Sequence, residues 1–305
     1  MTDRQTDRQT DRQTDRQVKQ INQQTSINIA LAADRNYAEQ VITLIKSVCY
    51  HHRNVRFYLI HQDYPSEWFL ALNKHLVELK AEIIPVTILK PFNFDIKLEK
   101  YITQSTFYRY LIPDIPEEKI LYLDSDIIVD GNIENMYSLE FNEILAYAVK
   151  DMYISYVEHD CPGYSNMKPY FNAGVLLINN RLWQKNRLKE HLIQVTQECP
   201  GVSIADQDIL NIVLKDKWGI LSEKYNYQTG AMHCFPIKEL PDEEIISKYR
   251  SQISEIQPKI IHYTTKLKPW IRQNRYIILL KEKYWFYYQL SWEEIKKRHQ
   301  ELFTQ

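Results

Sequence analysis

Two carboxylates separated by a single residue, Asp124 and Asp126 in the segment ILYLDSDIIVD at 120–130, are the chemically most suggestive pair in this chain of 305 residues. An apolar run delivers them to its end, with Ser125 between them. In extended backbone such side chains share one face. Both could then clasp one divalent cation, which takes oxygen ligands and leaves positions open for a substrate's phosphates. A buried strand has no use for two unpaired anions, because their dehydration is costly. The alternative is a strand edge at which two solvated aspartates begin a loop.

Other residues extend the pattern. His262, in IIHYTTKLKPW at 260–270, offers a neutral imidazole. Added to carboxylates, that nitrogen suits manganese better than calcium. Flanked by Ile261 and Tyr263, it reads equally well as a satisfied core histidine. Lys266 and Lys268 are close enough in sequence to reach phosphate oxygens. Asn172 and the ADQD segment at 205–208 are further polar interruptions. Asp206 either caps a helix start or, with Gln207, holds sugar hydroxyls or stabilises positive character at an anomeric carbon. Asp208 would support that second arrangement, and spacing leaves both readings open.

The elements that must position these groups follow from periodicity. Strands are expected over 27–32, ending in Ala33 and Asp34, then over 55–60, 82–86, 119–123, 144–150, 173–179 and 259–263. Pro85 favours an edge position for the third. Helices are expected over 37–50, 68–80, 103–111, 183–198, 204–216 and 276–290; in the first, Val41, Leu44, Ile45 and Val48 form the inner stripe. Ser291 and Glu294 match a capping box that opens one more basic helix. Strands alternating with helices imply an α/β unit with a largely parallel sheet, whose ligands bind beyond the carboxyl ends of the strands. Asp34, Asp124 and Asp126 are therefore expected to converge on one cleft.

Composition sets the class. Hydrophobic residues make up 44% and charged residues 25%, as in an ordinary soluble enzyme. The length suits one large domain or two closely joined ones, and no linker is evident. A net charge of -1, without a backbone-tracking basic pattern, argues against nucleic acid. Twenty-two tyrosines and six tryptophans suit sugar, protein or membrane contacts, and cores as well. Cys49, Cys161, Cys199 and Cys234 are scattered without metal-ligand spacing and are expected to be reduced. No stretch approaches the roughly 18 apolar residues of a membrane span, and no secretory signal is visible, so a cytoplasmic protein is expected. Residues 1–26 form a polar tail built on four TDRQ copies, for which disorder is the expectation. DRQT can be encoded by repeats of the tetranucleotide GACA. Slippage in such a tract would switch expression on and off, which is phase variation.

Taken in order, ALAADRNY at 30–37, LYLDSD at 121–126, YFNAGVLLIN at 170–179, ADQDILN at 205–211 and HYTTKLKPW at 262–270 resemble the family 8 retaining glycosyltransferases. The likeness is greatest to the bacterial enzymes that add galactose or glucose to lipopolysaccharide or lipooligosaccharide. The resemblance implies a GT-A fold, a nucleotide-binding sheet flanked by helices, with a catalytic domain at 27–270 and a helical basic-aromatic segment at 271–305. It implies metal-dependent transfer of hexose from UDP-galactose or UDP-glucose to a glycan acceptor, with Mn2+ or Mg2+ held by Asp124, Asp126 and His262. Ala32, Ala33, Asp34 and Asn36 fall where the family cradles uracil and ribose, and Tyr37 where it stacks on the base. Arg109 and Ser125 match donor contacts, and Lys268 matches the lysine that neutralises the diphosphate. Asp151, Asn172, Asp206 and Gln207 occupy donor-sugar positions, with Asn172, Asp206 and Gln207 nearest the reaction. Thr265 departs from the pattern, since relatives commonly have glycine there.

Two competing readings are a nucleotide-sugar-binding protein without turnover and a phosphotransferase or phosphatase using Asp124 as nucleophile. The second leaves HYTTKLKPW unexplained. The stretch KEKYWFYYQLSWEEIKKRHQ at 281–300 mixes aromatics with basic residues. It suits peripheral attachment to anionic lipid, which the resemblance implies would be at the cytoplasmic face of the inner membrane; a core helix packed on the catalytic unit explains its aromatics equally well.

Overall fold

A computed structural model describes residues 26–90, 92, 94, 104–154, 167–199, 202, 204–230, 242–271 and 277–303; the TDRQ repeats, Cys161 and Cys234 lie outside these. The first half lays down parallel strands in turn. Strands β1 (Ile27–Ala32), β2 (Val55–His61) and β3 (Ala81–Thr87) alternate with helices α1 (Ala38–His51) and α2 (Ser66–Leu76). The chain then returns past β1 to place β4 (Lys119–Asp124) on its other side, also parallel. Beyond the short β5 (Ile127–Val129) and α3 (Glu134–Tyr137), β6 (Ala146–Lys150) and β7 (Phe171–Asn179) complete the far half as antiparallel neighbours, with β7 against β4. With β8 (Trp218–Ile220) at the edge, the order is β3-β2-β1-β4-β7-β6-β8. Pro85 sits on edge strand β3, where no further neighbour needs its missing N–H.

Strand order reverses between β1 and β4, and the register sets Ala32 beside Asp124. An open α/β sheet leaves its ligand crevice at such a point. The central strands are apolar on both faces, as a doubly covered sheet demands. Leu31, Leu123, Val175 and Leu177 pack in one core with Val41 and Leu44 of α1. Tyr122, Leu176 and Ile178 pack in the other with Phe107, Tyr110 and Trp183.

A second, three-stranded sheet carries the late histidine. Strand β10 (Ile260–His262) lies between β5 and β9 (Tyr227–Gln228). It is antiparallel to β5, with His262 opposite Ile127, and parallel to β9, with His262 opposite Gln228.

Several elements differ from the sequence expectation. The helix over 103–111 is a 3₁₀ helix, Gln104–Asp114, which continues through Pro113. The helix over 183–198 is two, α4 (Asn180–Lys185) and α5 (Leu188–Glu198), separated where Arg187 takes a left-handed φ of 52°. Helix α6 (Ala205–Val213) ends earlier than expected, and α7 (Asp242–Ile256) lies where no element was expected. At the carboxyl end, α8 (Lys281–Gln289) buries Tyr284 and Tyr287 over Ile128, Ile261 and Tyr263. The next helix, α9 (Trp292–Phe303), opens with the expected capping box: Ser291 N–H donates to Glu294 Oε2 at 2.8 Å, and Glu294 N–H to Ser291 Oγ at 3.2 Å. Ile295 of α9 joins the main core. Among the described residues no helix is long and apolar enough to cross a membrane.

Candidate active site

Strand β4 stops at Asp124, and the backbone turns over Ser125 and Asp126 before β5 begins. The carboxylates therefore meet around a turn and not along extended backbone, as their spacing had suggested. The small sheet brings the imidazole to them. Tyr263 N–H donates to the Asp126 carbonyl at 3.0 Å, and His262 Nε2 comes within 3.2 Å of Asp126 Oδ1 and 3.9 Å of Asp124 Oδ2. One donor atom from each residue lies within 4.8 Å of the others. Gly174 of β7 makes the approach feasible: a Cβ there would overlap His262 Cε1 and lie 3.0 Å from Asp124 Oδ2. His262 is thus both buried, as the core reading required, and turned toward the carboxylates.

The donor set fits a divalent cation. Asp126 Oδ1 is buried and accepts no hydrogen bond, because its contact with His262 is close but not aligned as one. An orphaned carboxylate oxygen calls for a compensating positive charge. Two carboxylates and an imidazole are a mixed oxygen and nitrogen donor set of the kind that binds divalent cations. Positive charge already surrounds them. Lys268 Nζ sits 2.5 Å from Asp126 Oδ2 and 2.5 Å from the Tyr263 carbonyl. Burial alone would raise the Asp126 carboxyl, but Lys268 and then His262 hold it well below the usual range.

A cleft of about 400 Å³ opens beside the triad. Ala32, Ala33, Asp34 and Tyr37 line it from the end of β1, Arg109, Asn172 and Gln207 from behind, and Ser125 and Lys268 beside the carboxylates. Asp34 accepts from Asn36 N–H at 2.9 Å and so caps the short turn leading to Tyr37. Asn36 itself is exposed and outside the lining, whereas Asp151 and Asp206 stand behind it, buried. Asp151 Oδ2 accepts from Asn172 Nδ2 at 3.0 Å and from Gln207 Nε2 at 3.1 Å. Gln207 Oε1 accepts from Ala173 N–H at 3.0 Å.

Asp206 is not a helix cap. The side chain that reaches back is Asp208, whose Oδ2 accepts from Ile204 N–H at 2.8 Å. Asp206 instead faces Thr106 Oγ1 and Arg109, with Arg109 Nε 2.8 Å from its Oδ2. Arg109 then bridges to the turn at Asp124 through Nη2, 2.8 Å from Asp124 Oδ1. It lies over the Tyr122 ring at 4.6 Å, and Tyr122 donates to the same Asp124 oxygen at 2.7 Å. Burial raises the Asp206 carboxyl to about 6, opposed by Arg109 and then Thr106. Burial works against the charge on Arg109, but Asp124 and Asp206 outweigh it and push its pKa up. Sequence reading passed over Thr106 and Tyr122. For Tyr122 a signal existed: it sits two residues before Asp124, on the same face of β4.

Residues 28–274 match the family model described as glycosyl transferase family 8. The chain belongs to family 8. Relatives include the glycosyltransferase GlyA of Streptococcus pneumoniae serotype 4, 36% identical over 273 residues, which span 89% of this chain and 36% of GlyA. The lipopolysaccharide 1,2-glucosyltransferase of Escherichia coli is 28% identical over 268 residues, 82% of this chain and 75% of the relative. The chain spans only about a third of the length of GlyA and GlyD and just under two thirds of GlyB and GlyE. Among solved structures, GlyE superposes with a TM-score of 0.69 at 31% identity, over 90% of this chain and 63% of that one. The same fold is found in an active-site mutant of LgtC, with a TM-score of 0.69 at 22% identity, over 89% of this chain and 100% of LgtC. The fold is the expected GT-A arrangement, with a parallel-rich central sheet flanked by helices.

Proposed function

We propose that this family 8 chain transfers a hexose, galactose or glucose, from its UDP conjugate to a glycan acceptor, with retention of anomeric configuration and dependence on a divalent cation. The observation that carries the proposal is the convergence of Asp124, Asp126 and His262 beside a cleft at the β1–β4 switch point. Mn2+ or Mg2+ held by those residues would neutralise charge on a diphosphate leaving group. Ala32, Ala33, Asp34, Asn36 and Tyr37 would receive the uridine, and Lys268 would bring its ammonium from Asp126 to the β-phosphate. Arg109 fixes Asp124 and Asp206 in mutual register. Asn172, Asp151 and Gln207 form the wall for the sugar. The acceptor oxygen would form its bond to the anomeric carbon on the face from which UDP departs, and its proton would pass to the leaving phosphate oxygen. Gln207 is engaged at both ends of its amide, by Ala173 N–H and Asp151, which weighs against its serving as a nucleophile. Asp124 Oδ1 is likewise held by Arg109 and Tyr122, which disfavours aspartyl-phosphate chemistry.

The likeness to lipopolysaccharide 1,2-glucosyltransferase supports a lipooligosaccharide acceptor. With that acceptor goes a peripheral, cytoplasmic-face location, with residues 27–270 as catalytic domain and the carboxyl-terminal helices as its attachment. Phase variation through a GACA tract belongs to the same reading, and mixed codons across the TDRQ repeats would defeat it. The functional test is incubation with UDP-galactose or UDP-glucose and defined lipooligosaccharide fragments, with Mn2+, Mg2+ or EDTA. Transfer of one hexose with retained configuration, abolished by EDTA, is expected. Donor binding without transfer would leave a binding protein, and phosphate release with a phospho-aspartate would leave a phosphotransferase.

A further inference from the structure

His262 offers only Nε2 to the cleft. Its other nitrogen is 3.0 Å from Oδ1 of Asn226, a fully buried residue just before β9. The orientation of the Asn226 amide is fixed from the far end of a hydrogen-bonded chain. The Asp151 carboxylate accepts, so Asn172 presents Nδ2 to it at 3.0 Å. The backbone N–H of Gly174 donates, and it meets Asn172 Oδ1 at 3.1 Å. Both contacts demand the same orientation of Asn172. Its Oδ1 then receives Asn226 Nδ2 at 2.9 Å, which leaves Asn226 Oδ1 as an acceptor facing the imidazole. The ring proton accordingly belongs on Nδ1, and the Nε2 lone pair faces Asp126 Oδ1 and Asp124 Oδ2. Reversing Asn172 would set its carbonyl against the Asp151 carboxylate and its NH₂ against Gly174 N–H, and reversing Asn226 would set its carbonyl against Asn172 Oδ1, all in a buried site.

We propose that Asn226 is a positioning residue for the metal centre: it holds His262 as the Nδ1–H tautomer, leaves Nε2 ready to ligate, and links that tautomer through Asn172 to Asp151 in the sugar wall. The inference rests on the metal reading above and adds a residue that none of the sequence motifs contains. Outer partners of a ligating histidine fix its tautomer and ring orientation, and losing one typically weakens metal affinity about 10–100-fold.

Two substitutions separate the contacts. Asn226→Leu removes both; Asn226→Asp keeps an acceptor for His262 and loses the donor to Asn172. Imidazole ¹⁵N spectra of the full metal-free chain at alkaline pH, with the His262 signals assigned by their loss in His262→Gln, are expected to place the proton on Nδ1. In Asn226→Leu the tautomers mix, while Asn226→Asp keeps the proton on Nδ1. Mn2+ binding, followed by electron paramagnetic resonance of the free ion, should weaken about 10–100-fold in Asn226→Leu and hold in Asn226→Asp. A proton on Nε2 in the wild-type ring would overturn the inference. So would a folded Asn226→Leu that binds Mn2+ as tightly as wild type, or a tenfold loss in Asn226→Asp. Failure of the wild-type chain to bind Mn2+ would sink the metal reading instead, and the tautomer spectra would still decide the role of Asn226.

Discussion

At the scale of single residues, the site rests on groups that hold one another in place. Gly174 shows this most directly, because its missing side chain is what lets His262 reach Asp124. Gly174→Ala should leave the far-ultraviolet circular dichroism unchanged while weakening Mn2+ binding at least tenfold, about the scale of a displaced supporting contact. Unchanged affinity in calorimetry would show that the imidazole is not confined there. Asp206 gives a pH prediction. Its carboxyl is raised from 3.8 to about 6 by burial, against Arg109 and Thr106. Such a shift favours folding fully below the ordinary value, and the advantage is lost as pH rises through about 6. Activity runs the other way: as pH falls through about 6, Asp206 takes a proton and Arg109 loses one of its two carboxylate partners. The acid limb of kcat/KM should lie there, and the residual activity of Asp206→Asn should lack it. A limb that persists in the variant assigns the titration elsewhere. Asp124, Asp126 and His262 stood out in the sequence because polar groups interrupt apolar runs, and Lys268 because it follows His262 closely in the chain. Asn226 was not legible, since an asparagine between two tyrosines carries no pattern; only the packing of β9 beside β10 gives it a partner.

At the scale of elements, apolar runs bounded by polar residues were enough to find the long strands. That signal failed at β5, β8 and β9, each of three residues or fewer, because so short a run carries little pattern, although β10, which is as short, was found. It also ran α4 and α5 together, since apolar spacing continues across Arg187 while the backbone does not. The loop after β10 offers a cleaner test of local conformation. Thr265 has a left-handed φ of 69°, at the position where family resemblance leads one to expect glycine. A non-glycine residue held so costs on the order of 1–3 kcal/mol. Glycine regains part of that, less the extra freedom of the unfolded chain and the long 3.3 Å hydrogen bond from Leu267 N–H to Thr265 Oγ1. Thr265→Gly should therefore stabilise the protein by about 1 kcal/mol in urea denaturation. Thr265→Ala, which keeps the strain and loses the hydroxyl, should destabilise it. A less stable glycine variant would mean the loop is not strained.

At the scale of the whole molecule, the carboxyl-terminal helices bear on both fold and location. The aromatic stretch suited either a membrane surface or a packed helix, and its inward side chains are packed. Inward, Tyr284, Tyr287 and Ile295 are at most 1% exposed, and Tyr287 donates to Asp130 Oδ1 at 2.6 Å. Outward, Phe286 is 44% exposed, with Lys281 and Lys297 exposed on the same pair of helices. Lys283 and Lys296 are already engaged, by Asp130 at 3.0 Å and Glu78 at 2.8 Å. Deleting the segment would confuse attachment with folding, so point substitutions are the sharper instrument. Ile295→Ala should cost about 2–5 kcal/mol, as for other buried aliphatic truncations, read as a lowered denaturation midpoint. Phe286→Ala combined with Lys281→Gln and Lys297→Gln should lower that midpoint less, because the exposed lysines contribute within about 0.5 kcal/mol each and Phe286 gives up an edge contact with Tyr50 of about 0.5–1.5 kcal/mol. If the outward face meets anionic lipid, the triple variant should lose sedimentation with phosphatidylserine or phosphatidylglycerol vesicles that the wild type retains. High salt should release the wild type as well, because each basic side chain near such a surface contributes about 1 kcal/mol through a screened field. Equal sedimentation of the two proteins would remove this face as the site of attachment while leaving the role of Ile295 in the core untouched.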